Sequence, residues 1–562
     1  MLNEHQPLKH INPVCSVILL ISVLTLIGIG IYHTYPPSQS SLSAPKSTFS
    51  STRAMTHVRQ IAVHPHPTGS LENENVRKYL LTQLKELGLE PEIQSALAVN
   101  PKTKQVGRIH NVLARIQGIT PGKALLLAAH YDSVKTGPGA ADDGASVAAI
   151  LETLRALKTH TALQNDLICL FTDSEETGLL GAEAFVQQHP WAKTIGMALN
   201  FEYRGNRGAF MMFETSEGNG KLIEGLATAV PFVMTNSLMY EVYKRLPNDT
   251  DFSVLKRAGI PGMNFAAIAG HKSYHTQLDR PEFLDQGTLQ HEGEIMLALV
   301  EHFGNQPLDS LNAENHIYFD FPGLGVIHYP MSWAIALCGL LVALFAALCV
   351  ANYKARLIRP IPLLTATLTY PVLIFALYNV DCYLWYVVRL FHPDYESFAY
   401  DDTFNSYCYL LGFIFLNIAL SGGAYLVIKR WVTNTELFLG ITVCWLLMAL
   451  FTYNNGANFL FYWPLLAMLI SLVLLRLPFI KNHPRFILLI LLLGSVPGLL
   501  IFTPLIKNLF IGLTPSYMGV ILLFLGLLLG LLSPVLAEIN SNKTGVILSV
   551  LIALFGFILG SC

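Results

Sequence analysis

Charge is what this sequence is short of. Only 13% of its 562 residues are Asp, Glu, Lys or Arg, against 52% hydrophobic, where a typical soluble domain carries about 25% charged residues. That scarcity excludes a wholly soluble chain and places much of it in lipid. A basic excess is missing too. The 36 Lys and Arg against 38 Asp and Glu leave a formal net charge of -2, which excludes a nucleic-acid partner because no surplus cations exist to neutralise phosphates. Cysteine is almost absent from the polar part of the chain. Of the eight cysteines only Cys169 falls there, inside an apolar run, so that part has no internal disulfide. The others lie in or beside hydrophobic segments, where a free thiol behaves as a small apolar group. Cys382 and Cys408 could bridge if both reach the outer surface.

The chain exceeds the roughly 100 to 200 residues of one domain, and its composition shifts along its length. Residues 1–13 read as a cytoplasmic N-terminus. Residues 14–32 form an uncharged apolar stretch, long enough for about 30 Å of hydrocarbon. With no clear small-residue cleavage site behind it, the stretch reads as a retained anchor rather than a signal peptide. Residues 33–52, rich in Ser and Pro, read as a linker, residues 53–306 as a domain, and residues 307–330 as a second linker. Residues 331–562 read as a transmembrane bundle of about eight helices, the last near Val546 to Leu559. With the anchor, that makes nine spans.

Basic residues orient those spans. Lys9, Lys354, Arg356, Arg359, Lys429, Arg430, Arg476, Lys481, Arg485 and Lys543 fall on one side of a nine-span path, whereas the other carries Arg389 and Lys507 together with Asp394, Glu396, Asp401 and Asp402. The basic side is cytoplasmic by the positive-inside rule, so the domain of residues 53–306 faces outward. That orientation fits a bacterial inner membrane with the domain in the periplasm, or an ER or vacuolar membrane with it in the lumen. Asp381, an ionisable group at the end of an apolar span, is expected near the outer interface in a belt with Trp385, Tyr386 and Arg389.

Within residues 53–306, short apolar runs alternate with amphipathic stretches, which predicts an α/β fold. Leu125 to Ala129, Leu167 to Phe171, Met197 to Phe201 and Met263 to Ile268 read as buried strands, because a sheet covered on both faces needs continuous apolar runs. Val147, Ile150, Leu151, Leu154 and Leu157 predict a helix with Glu152, Arg155 and Lys158 on its polar face.

Three of these strands run into groups suited to a divalent cation: His130 with Asp132 close behind, Glu175 with Glu176, and Glu202. Functional crevices in open α/β sheets lie at the carboxyl ends of strands, so such groups can converge. Asp142 and Asp143 sit in a loop before the helix, and His275 lies beyond the strand at Met263 to Ile268. Singly each has a bland reading: a satisfied polar histidine, a solvated acidic loop, an ordinary DDG turn. Together they offer two histidines and three carboxylates as ligands plus one carboxylate to spare, the inventory of a two-metal hydrolytic centre.

The series HYDSV, GPGAADDGAS, FTDSEETGLLGAEAF, NFEYRG and SYHTQLDRPEF resembles the co-catalytic zinc aminopeptidases of clan MH over roughly Arg53 to Gln306. The plan of anchor, outward domain and multi-span half is similar to the membrane-bound branch of endoplasmic-reticulum metallopeptidase and vacuolar membrane protease. The resemblance implies an α/β zinc-peptidase domain with a mixed, mostly parallel sheet and helices on both faces, joined to an all-α transmembrane domain. It further implies two Zn2+ ions bridged by Asp142, with His130 and Glu202 completing one site and Glu176 and His275 the other. Asp132 would orient His130 through its far ring nitrogen, and the Asp142–Asp143 peptide bond would be cis. Glu175 would be the general base that takes a proton from the attacking water and delivers one to the leaving amine. Tyr274 matches a position that donates to the developing oxyanion, although a packed aromatic there is nearly as common. Glu202 stands where many soluble relatives have Asp. Arg204 either reads a substrate carboxylate or pairs with a nearby acid.

The leading expectation is a membrane-anchored aminopeptidase acting on peptide or protein N-termini at a lipid bilayer. The alternatives are a one-zinc glutaminyl cyclase, a receptor or scaffold on a catalytically dead fold, and a transporter with an accessory domain.

Overall fold

The computed structural model describes residues 13–398, 402–481, 483–538 and 554. Lys9, Asp401, Lys543 and nearly all of the expected last span, Val546 to Leu559, lie outside the described residues. The chain divides into two compact units: Thr34–Met331, and residues up to His33 together with those from Ser332 onward.

Helix α1 (Pro13–Tyr32) belongs to the second of these. The first unit begins with α2 (Ser51–Ile61), α3 (Leu71–Glu86), β1 (Glu92–Val99), β2 (Val106–Ile116), β3 (Ala124–His130), α4 (Gly144–Leu157), β4 (Leu167–Thr172) and α5 (Leu180–Gln188). It continues with β5 (Ile195–Tyr203), β6 (Met211–Thr215), α6 (Gly220–Ala229), β7 (Met234–Thr235), α7 (Ser237–Tyr243), α8 (Asp251–Arg257), β8 (Gly262–Ala267), α9 (Gln286–Phe303), β9 (His316–Phe321) and β10 (Gly325–Pro330). Eight strands form one mixed sheet in the order β1-β2-β4-β3-β5-β8-β6-β7. Its centre, β4-β3-β5-β8, is parallel, while β1, β2 and β6 join antiparallel.

Every residue of β3, β4, β5 and β8 is buried, because helices cover both faces of the sheet centre. Side chains alternate along a strand. Leu125, Leu127 and Ala129 therefore enter a core with residues of α2, α4 and α9, whereas Ala124, Leu126 and Ala128 pack with Phe185 of α5 and Phe252 and Leu255 of α8. The parallel strands end together, and the site grows from those ends.

The expected polar face of α4 is not all solvated. Glu152 is only 1% exposed, since α2 and the segment before it pack over that face. Its carboxylate accepts from Arg53 Nε at 2.8 Å, Arg155 Nε at 2.6 Å and the main-chain N–H of Ser50 at 3.1 Å. The same arginines donate to the carbonyls of Leu42, Ala44, Lys46 and Thr48, which bonds the Ser- and Pro-rich stretch before α2 into the unit. Residues 307–330 likewise contain the paired hairpin β9–β10.

The second unit continues with α10 (Trp333–Lys354), α11 (Pro360–Phe391), α12 (Ser406–Ile428), α13 (Asn434–Phe451), α14 (Asn458–Leu474), α15 (Pro478–Lys481), α16 (Pro484–Leu513), α17 (Met518–Leu531) and α18 (Ser533–Glu538). Among the described residues, five helices are long and apolar enough to cross a membrane: α10, α11, α12, α13 and most of α16. Three further apolar segments, Val17–Tyr32, Asn458–Leu474 and Pro515–Leu531, are shorter. Cys382 and Cys408 are free thiols, not a disulfide. Asp381 and Trp385 are 1% and 3% exposed, packed among helices of this unit, whereas Tyr386 is 57% exposed.

Candidate metal centre

His130 is the last residue of β3, and Glu202 lies near the end of the neighbouring β5. Parallel pairing of the two strands brings them to the same edge. Asp142 reaches this edge from the loop that enters α4. His130 Nε2 lies 3.1 Å from Asp142 Oδ1 and 3.5 Å from Glu202 Oε2. On the other side of Asp142, His275 Nε2 lies 3.2 Å from Oδ2 and 3.1 Å from Glu176 Oε2. Asp142 thus turns one oxygen to each histidine, and the chain offers two groups able to hold a metal ion that share this carboxylate: His130, Asp142, Glu202 and Asp142, Glu176, His275.

The loop carrying Asp142 is held from below. Asp279 Oδ1 accepts from the N–H of Ala141 at 2.7 Å, and its Oδ2 accepts from the N–H of Asp142 at 3.2 Å. Asp143 Oδ2 accepts from the N–H of His130 at 3.1 Å, and the Asp142–Asp143 peptide bond is cis. Asp279 lies inside the motif SYHTQLD, yet sequence reasoning gave it no role. Its partners are 137 and 138 residues away along the chain, and no spacing rule reaches that far.

Asp132 meets the far ring nitrogen of His130 through its main chain. His130 Nδ1 lies 2.9 Å from the main-chain carbonyl of Asp132, whereas the carboxylate stands 3.6 Å off. That carboxylate instead accepts from the N–H of Glu175 at 3.0 Å, so it fixes the turn that carries Glu175 and Glu176. Asp173 steadies the start of the same turn, accepting from the N–H of His110 at 2.9 Å and from Thr68 at 3.0 Å. Beneath it, Thr172 is hydrogen-bonded to the buried Asp251. Tyr274 lays its ring on His275, with centroids 3.7 Å apart.

The electrostatics describe a cradle crowded with buried carboxylates. Burial, reinforced by the negative charges of Glu202, Asp251 and Glu176, pushes the Glu175 carboxyl well above the usual range. Burial, then the charge of Asp142, raises Glu176 to about 7. Although burial works against a charged ring, the carboxylates of Asp142 and Glu176 hold His275 up at about 10. Asp142 goes the other way: despite burial, His130 and His275 draw it down to about 2. Glu176 Oε1 and His275 Nε2 are buried atoms with no hydrogen-bond partner. Oxygen and imidazole donors, an excess of buried carboxylate and these unsatisfied atoms all suit divalent zinc, which takes His and Asp or Glu ligands.

Comparison with known proteins agrees with this chemistry. Residues 111–300 match Peptidase family M28. Endoplasmic reticulum metallopeptidase 1 of Homo sapiens is 30% identical over 310 residues, covering 51% of this chain and 34% of that one. The vacuolar membrane protease of Eremothecium gossypii is 29% identical over 329 residues, covering 53% and 32%. The matched region thus spans about a third of the length of these relatives. Among solved structures, an aminopeptidase from Aneurinibacillus sp. strain AM-1 aligns over 45% of this chain and 94% of its own, at 14% identity and a TM-score of 0.37. Porphyromonas gingivalis glutaminyl cyclase aligns over 45% and 98%, at 22% identity and a TM-score of 0.37. The match to Peptidase family M28 falls within the domain that holds the two ligand groups.

Proposed function

We propose that the chain is a membrane-anchored, two-zinc exopeptidase that removes residues from peptide N-termini. The observation that carries this reading is the placement of Asp142 between His130 and His275, one oxygen toward each. Zinc ions bound there would supply Lewis-acid polarisation of the scissile carbonyl and would lower the pKa of water to about 7. Everything else falls to side chains of this chain. His130 and Glu202 would hold one ion and Glu176 and His275 the other, with Asp142 shared. Glu175, its main chain tied to Asp132, takes a proton from the attacking water and returns it to the departing amine. Tyr274 steadies the His275 ring and offers its hydroxyl to the oxyanion.

The basic loops after α10, α12 and α14 support a cytoplasmic placement of those helix ends and a non-cytoplasmic face for the peptidase domain. A complete set of five ligand side chains supports the two-zinc peptidase over a one-zinc glutaminyl cyclase or a catalytically dead scaffold. The test is hydrolysis of free and N-blocked peptides by the purified full chain, with and without chelator, beside Glu175→Ala. The expected result is cleavage of free N-termini only, abolished by chelation and lost in the variant. Equal activity of Glu175→Ala, or equal cleavage of blocked peptides, overturns the reading.

A further inference from the structure

Asp381 marks a place in the membrane unit where hydrogen bonds do not balance. It sits on α11 at 1% exposure, and Asn417 of α12, at 0%, donates its amide nitrogen to Asp381 Oδ1 at 2.8 Å. The same nitrogen also donates to the carbonyl of Phe413 at 3.0 Å. These two bonds identify the nitrogen end of the amide, since a flipped amide would turn its oxygen toward two acceptors. Two buried oxygens remain, Asp381 Oδ2 and Asn417 Oδ1, and neither has a partner among the described residues. Both only accept while Asp381 is ionised.

Among the described residues, no neighbouring charge accounts for an ionised Asp381. Helix α17 packs against this stretch of α11 so closely that a Cβ at Gly519 would lie 2.5 Å from Cys382 Sγ. Neither α17 nor α12 contains Asp, Glu, Lys, Arg or His; their titratable groups are Tyr407, Cys408, Tyr409 and Tyr425. On α11 itself, Arg389 is bonded to Glu396 at 2.8 Å, and the other titratable side chains are tyrosines and Cys382. On α13, Glu436 is bonded to Arg359 at 2.9 Å, leaving Cys444. The short segments at Pro393–Ser397 and Pro515–Tyr517 add Asp394, Tyr395 and Tyr517. Asn417 lies eleven residues from either end of α12, away from the headgroup water that would solvate a charge.

We propose that Asp381 and Asn417 form a proton-binding site inside the membrane unit. A proton taken from water onto Asp381 Oδ2 gives the pair the one donor it lacks: the acid O–H donates to the Asn417 carbonyl while the amide N–H donates to the acid carbonyl. Access is from one end. A turn further along α11, Trp385 packs edge-on against Tyr409 with centroids 5.5 Å apart, and the hydroxyls of Tyr409 and Tyr395 lie 3.1 Å apart. These polar rings lead from the pair to the Pro393–Ser397 segment, whereas the turn of α11 on the other side presents the buried Leu377.

The test is infrared difference spectroscopy of the full chain in lipid nanodiscs at neutral pH, wild type minus Asp381→Asn. The expected spectrum contains a carboxylic-acid carbonyl band that the variant lacks and that added sodium or potassium leaves unchanged. A carboxylate band in its place, or an acid band that fades as sodium rises, overturns the proposal, the second in favour of a metal cation. Asp381→Asn rebuilds the pair as two amides with both bonds kept, and its thermal stability is expected to match that of the wild type at neutral pH. Asn417→Leu retains Asp381 and is expected to move the acid band to higher frequency. An unmoved band contradicts the pairing even if the first variant fails to fold.

Discussion

Asp279→Ala separates support of the metal centre from membership in it. Asp279 is 3% exposed and accepts two main-chain N–H groups, at 2.7 Å from Ala141 and 3.2 Å from Asp142. Removing its carboxylate strands both donors in the interior. Each buried unsatisfied group costs about 1 to 3 kcal/mol, so the fold is expected to lose about 2 to 6 kcal/mol. Asp142 also loses the restraint on its own backbone, and removing such outer support lowers metal affinity about 10- to 100-fold, equivalent to about 1.4 to 2.8 kcal/mol. Asp279→Asn keeps one acceptor and is expected to cost about half as much. The assay pairs chelator competition for zinc with denaturant unfolding of the metal-free protein. Loss of stability with zinc affinity unchanged would refute the claim that Asp279 acts through Asp142.

Three further outcomes follow from the same geometry. In the metal-free protein, burial first raises Asp173 to about 6 and Glu176, Asp251 and Asp279 to about 7. Folded values above the unfolded values of about 4 mean that each group's stabilisation is fully present below about pH 4 and is lost as pH rises through about 6 to 7. The denaturation midpoint of chelated protein should therefore fall between about pH 5 and about pH 8 and be restored by saturating zinc; a flat profile contradicts this. Tyr274→Phe keeps the ring on His275 and is expected to lower kcat about 100- to 1,000-fold with zinc content intact, whereas full activity would reduce Tyr274 to a packing ring. Gly181→Ala would bring a Cβ to 2.4 Å from the Asp173 carbonyl and 2.6 Å from Asn111 Oδ1. Shifting this backbone should cost about 1 to 3 kcal/mol in thermal unfolding, and an unchanged midpoint would contradict it.

The central strands were legible because a sheet buried on both faces writes its location as unbroken apolar runs. The groups at their ends, His130, Glu175, Glu176 and Glu202, stood out because charge follows those runs abruptly. Asp279 and the carboxylate of Asp132 were not legible in their actual roles. Their bonds join loops brought together only by the closed sheet, and neither residue type nor spacing announces an acceptor for a distant N–H. Glu152 was misread for a related reason: helical periodicity assigns it to a polar face, but periodicity cannot say that Arg53 and Ser50 will cover that face. Arg53 and Arg155 explain why a Ser- and Pro-rich stretch is bonded into the domain. Asp381 shows the limit in lipid, where sequence places a charge along a span but does not reveal that Asn417 on the next helix faces it.

The most direct measurement is the zinc content of the purified full chain after dialysis against trace metal. Two ions per chain are expected in the wild type and one in His275→Ala, since the second group depends on that ring while His130, Asp142 and Glu202 remain. A wild-type chain that binds no divalent metal under any condition, or equal occupancy in the variant, would contradict the account.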